Sequence, residues 1–145
     1  MEEKTGTAKE AKTLQPMTKE EREAFSEFLS RESLSDEDWQ HVYEVLSGYE
    51  LYTILDADGR VRPWNGTYFL AATRAPLNRF VAGLARNQGM RIVPTGFEEA
   101  AFYSVRSGIP MRIWISKAVE SRGLYYQPKE DEMTILDMTD APIRV

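Results

Sequence analysis

Hydrophobic positions along this chain change their spacing twice. From residue 18 to residue 48 they recur at helical intervals: Phe25, Phe28 and Leu29 share one face, and Trp39, Val42, Tyr43 and Leu46 follow at i, i+3, i+4 and i+7. Each run opens with a capping-box spacing, Thr18 with Glu21 and Ser35 with Asp38, and Leu34 is placed to staple against Trp39. Two helices are therefore predicted, one over about 19–31 and one closing before Gly48, where glycine suits a left-handed stop. His41 falls on the polar side of the second helix and reads as a surface residue.

From Tyr49 the period becomes two. Residues 49–55 are rich in β-formers, Asp58-Gly59 is a hairpin turn signal, and residues 60–62 start a return strand that Pro63-Trp64-Asn65-Gly66 interrupts. A strand over 67–72 leads into a helix with Leu77, Phe80, Val81, Leu84 and Ala85 on one stripe and Pro76 in its first turn. A second, shorter round follows: a strand over 90–93, a Pro94-Thr95-Gly96 junction, a helix from Phe97 with Thr95 and Glu98 at capping-box spacing, a stop at Gly108, and a strand over 111–115. Strands over 124–126 and 133–136 complete the pattern. Alternation of this kind predicts an α/β domain, with α+β as the alternative. Its mixed sheet is built on a β-α-β-α-β unit with at least three parallel strands, preceded by two acidic helices and an N-terminal β-hairpin.

Composition narrows the class. With 145 residues, 42% hydrophobic and 28% charged, the chain has the size and balance of one globular domain. Residues 1–15 carry one large apolar side chain, Leu14, beyond Met1, so 1–17 is expected as a disordered tail. Residues 18–145 form the domain, with a helical part (18–48) and a sheet-containing part (49–145). No run of about 18 apolar residues is present to span a membrane, and the charged N-terminus lacks a signal-like stretch, which points to a soluble, cytoplasmic protein. The absence of cysteine excludes disulfides, thiolate nucleophiles and cysteine-held metal, and a single histidine leaves little for histidine catalysis; no metal or cofactor is expected.

The net charge of −5 conceals a segregation. Residues 1–58 hold six basic and fifteen acidic side chains, residues 59–122 hold ten basic and three acidic, and residues 123–145 hold two basic and five acidic. Nine of the ten central basic residues are arginine, whose planar fork suits carboxylate and phosphate. Two readings follow: an acidic helical layer neutralises an arginine layer within the fold, or part of the arginine set faces an external anion.

Candidate chemistry gathers at the two strand-to-helix junctions, at the carboxyl edge of parallel strands, where helix N-termini offer amide hydrogens to an anion. Thr73, Arg74, Thr95 and Gly96 form the candidate site, with Arg79 one turn further along and Trp64 in a turn-rich loop able to stack a ligand. Neither junction has the glycine spacing of a phosphate-binding loop or dinucleotide fold. Asp56-Ala57-Asp58-Gly59 reads as a turn, not a calcium loop, and Glu98-Glu99 as first-turn carboxylates complementing a helix dipole. The expected function is non-catalytic recognition of an anionic partner, either an acidic protein surface or a phosphate-bearing small molecule. Nucleic acid is disfavoured by the acidic pI of about 5.0. The competing readings are a small cofactor-free enzyme acting on a phosphorylated or carboxylated substrate, with Arg74 or Arg79 as clamp, and a homodimer whose charge segregation is structural.

Overall fold

The computed structural model describes residues 14–64, 66–83, 89–115 and 122–137. In chain order the elements are β1 (Gln15–Pro16), α1 (Lys19–Leu29), α2 (Asp36–Ser47), β2 (Tyr49–Leu55), β3 (Tyr68–Ala71), α3 (Ala75–Ala82), β4 (Arg91–Thr95), α4 (Phe97–Ser107), β5 (Met111–Trp114), β6 (Arg122–Gln127) and β7 (Glu132–Asp137). Both predicted capping boxes form. Thr18 accepts from the Glu21 amide while the Glu21 carboxylate accepts from the Thr18 amide, and Ser35 and Asp38 repeat the exchange. Tyr49 donates to Glu21 at 3.0 Å and so ties the first turn of α1 to β2.

The sheet order is β4-β2-β3-β5-β6-β7, with β1 pairing in parallel beside the first two residues of β2. Strands β3, β4 and β5 all point the same way, as the alternation predicts, but only β3 and β5 among them are hydrogen-bonded neighbours. β2 lies antiparallel between β4 and β3. The link from β3 to β4 runs one way across the sheet by α3, and the link from β4 to β5 runs back by α4. The two helices lie on opposite faces, so both crossovers have the same hand, as the right-handed rule requires. β6 and β7 add the expected antiparallel edge.

Strand alternation separates two apolar layers. Leu51, Leu70, Met111, Ile113 and Leu124 project to one face, where α1, α2 and α4 cover them with Phe25, Leu29, Val42, Leu46, Phe97 and Ala100. Tyr52, Ile54, Phe69, Ala71 and Trp114 project to the other, which α3 covers with Leu77 and Phe80. No helix among the described residues is long and apolar enough to cross a membrane.

Several local expectations are corrected. Residues 1–13 lie outside the described residues, but Gln15 and Pro16 pair with β2 and Met17 is 3% exposed in the main core, so the folded chain begins before residue 18. Gly48 ends α2 in a right-handed conformation (φ −95°), because the chain passes straight into β2, whereas Gly108 ends α4 left-handed at φ +74°. The hairpin turn forms at 56–59, yet its return arm is a single bridge, Leu55 with Val61, before Pro63 removes the next donor. α3 closes at Gly83, and the predicted continuation through Leu84 and Ala85 lies outside the described residues.

Among the described residues, three carboxylates are held below their ordinary pKa. Glu21 and Asp38 are lowered first by their cap amides, and Asp56 first by the Arg60 amide, then by the Asp58 amide and the Arg62 and Arg60 charges. A carboxylate with a depressed folded pKa stabilises above its unfolded pKa, and that contribution disappears as pH falls through the folded value. Urea midpoints are therefore expected to be level near neutrality and to decline below about pH 4. The Asp38→Asn protein should show a shallower decline; an identical acid profile would remove Asp38 from the account.

Candidate anion-binding face

The two junctions lie at the same edge of the sheet. Ala71 and Pro94 are both level with Tyr52, on opposite sides of β2, so Thr73 and Gly96 stand two residues beyond that level, separated by two strand spacings of roughly 10 Å. The start of β2 fills the gap between them: the same registers bring half-buried Glu50 level with both, and Leu14 lies beside Gly96. The first residues of β2, Glu50 among them, therefore stand where an open α/β sheet would leave a crevice for a ligand.

The surroundings of the two helix starts differ. At α4 the cap is Gly96, without a side-chain hydrogen bond, and Thr95 does not cap as the spacing suggests. It is the last residue of β4, and its hydroxyl reaches Glu99 at 3.4 Å. With Glu98 and Glu99 in its first turn, this helix start already carries its own negative charge. At α3 no acidic residue stands in the first turn, Pro76 is in place as predicted, and Arg74 is the capping residue. The Arg74 guanidinium donates to the Ile92 carbonyl at 2.7 Å and lies 4.6 Å from the Tyr52 ring centre. Burial raises the Tyr52 pKa, helped by a hydrogen bond and the charge from Glu50, while Arg74 acts in the opposite direction. Arg74 thus joins α3, β2 and β4 and still presents its exposed edge to solvent.

Arg79 is exposed on the last turn of α3. Trp64 is half-buried and packs edge-on against Phe80 of that helix at 5.8 Å, with the Arg62 guanidinium 5.7 Å over its ring. Arg62 also pairs with Asp56 at 3.5 Å. The Trp64 and Trp114 indole nitrogens are buried without an acceptor among the described residues. Arg112, which no motif or spacing singles out, belongs here as well: alternation from Trp114 and its pairing with Phe69 and Tyr125 put it on the α3 side of the sheet, half-buried. The structure therefore groups Thr73, Arg74, Arg79 and Trp64 around α3 and separates them from Thr95 and Gly96.

The acidic helices lie elsewhere. α1 and α2 pack on the opposite face, and the ion pairs among the described residues, Lys19 with Glu23, Arg31 with Asp38 and Arg62 with Asp56, do not join those helices to the central arginines. Comparison with protein-family models, curated proteins and solved structures finds no match to this chain.

Proposed function

We propose that this protein is a non-catalytic binding module whose α3 face docks an acidic protein surface. One observation carries the reading: the arginine-bearing face and the acidic helices are on opposite sides of the sheet, so Arg62, Arg74, Arg79 and Arg112 are not covered by the carboxylates of α1 and α2. These guanidiniums are spread along a helix, a loop and a strand. That spacing suits several carboxylates on an extended surface better than one phosphate group. Trp64, half-buried and seated on the buried Phe80 ring, supplies an aromatic centre, and tryptophan and arginine are among the residue types enriched where protein interfaces carry their binding energy. The acidic layer behind them adds a field that orients approach and repels a polyanion presented to the wrong side.

The test is a titration of labelled poly-glutamate at low salt, read by anisotropy and by tryptophan emission. The intact chain should bind, and Arg79→Glu with Arg112→Glu should weaken binding at least about tenfold and flatten its salt dependence. Glu23→Gln, on the far face, should leave it unchanged. Binding of inorganic phosphate without poly-glutamate would replace the acidic surface by a small anion. An intact chain that binds neither ends the proposal.

A further inference from the structure

Among the described residues the large hydrophobic side chains that stand exposed are Phe102 (55%), Tyr103 (40%) and Val105 (57%), and all three are on α4. The helix buries Phe97, Ala100 and Ser104 against the sheet, so its outward stripe is Glu98, Phe102, Val105 and Arg106, at i, i+4, i+7 and i+8, with Glu99 and Tyr103 flanking it. An apolar centre with charged ends is the anatomy of an interaction patch. The order of the charges says what fits it. Acidic residues stand at the N-terminal end of the stripe, arginine at the C-terminal end, and Phe102 midway between Glu98 and Arg106.

We infer that the two-fold axis of a homodimer passes beside Phe102 of α4, so that α4 packs antiparallel against α4 of a second copy with Phe102 on Phe102. In that arrangement Glu98 of each copy faces Arg106 of the other, the patch is complementary to itself, and the two helix dipoles oppose. A copy packed in parallel would instead put Glu98 against Glu98 and Arg106 against Arg106. Within one chain Arg106 lies 5.3 Å over the Phe102 ring, which already holds the guanidinium beside the axis. The helix stripe alone is small beside the roughly 800 Å² per partner of a standard interface, so the dimer belongs to the weak, concentration-dependent class. Because α3 is on the other side of the sheet, pairing through α4 leaves the arginine face of both copies pointing outward.

Sedimentation velocity with charge-reversed chains tests this directly. The intact chain should sediment as a dimer at about 100 μM and dissociate on dilution. Glu98→Arg alone, which sets guanidinium against guanidinium across the axis, and Arg106→Glu alone, which sets carboxylate against carboxylate, should each be monomeric with unchanged circular dichroism. Mixed in equal amounts they should form a heterodimer, since every facing pair is then of one sign within itself only in the separate homodimers: in the mixed pair, one variant's two guanidiniums meet the other's two carboxylates. A monomeric intact chain at that concentration, a single variant that remains dimeric, or a mixture that stays monomeric would each overturn the inference. The first of these is the outcome expected if the patch serves a different protein.

Discussion

Phe69→Ala is expected to lower the unfolding free energy by about 3–5 kcal/mol, measured as a shift of the urea midpoint at constant slope. Phe69 is 2% exposed at the centre of the layer beneath α3. Its ring meets Phe80 at 5.0 Å and 87° and Trp114 at 5.3 Å and 89°, two edge-to-face contacts that each add to the area it buries. Neighbours cannot close the gap. Phe80 is held by the α3 backbone, Trp114 by pairing on both sides of β5, and Ala71 has nothing to extend into the space. The substitution also loosens the seat of Trp64, which rests on Phe80. A loss below about 1 kcal/mol would mean that this layer repacks freely and that the rings contribute little.

A second large effect is expected at Gly89. Its φ is +78°, and an added Cβ would lie 2.9 Å from the Ala57 Cβ and 3.2 Å from the Ala57 Cα. The turn that holds Ala57 is not free to retreat: the Asp56 carboxylate accepts from the amides of Asp58 and Arg60, and the Asp56 amide donates to the Arg60 carbonyl. Gly89→Ala therefore combines left-handed strain with a backbone collision, and a cost of about 3 kcal/mol is expected. Gly66→Ala provides the comparison, because Gly66 has φ +77° but open space where the Cβ would stand, and about 1 kcal/mol is expected there. Equal losses in the two proteins, by chemical denaturation, would show that the 56–59 turn yields without penalty.

Elements governed by neighbours in sequence are legible from residue order. The boxes at Thr18 and Ser35, the stripe of α2 and the stop at Gly108 follow from residues three or four apart, and they stand where the spacing puts them. Strand order is not legible in that way. Alternation assigns each side chain a face but does not say which strand lies beside which, so the insertion of β2 between β4 and β3 depends on pairings such as Thr53 with Val93 that no local pattern encodes. Residue spacing misplaces the cap of α4 for a related reason. Pro94 reads as a junction, yet among the described residues β4 is an edge strand, where proline is tolerated, and the strand runs on through Thr95 and passes the capping position to Gly96. At the candidate site Arg74 is legible from its place at a strand-to-helix junction, whereas the carbonyl of Ile92, eighteen residues away, that holds its guanidinium is not. Arg112 is not legible either, because only the register of β5 against β3 reveals which face it shares.

The placement of opposite charges on opposite sides of the sheet also decides what indiscriminate self-attraction would build. Two copies drawn together through the helices of α1 and α2 on one and the arginines around α3 on the other would each retain an unused pole, since neither face can serve both roles at once. Such a contact is heterologous, and with its two faces on opposite sides of the sheet it favours an open array over a ring. It propagates as a column, growing from both ends, in contrast to the closed pair that α4 permits. The forces that would hold the column are carried by exposed groups and fall away beyond about 8 Å at physiological ionic strength, whereas they extend to about 30 Å in dilute buffer. Such stacking is therefore expected to show itself in dilute buffer and to be suppressed at physiological salt.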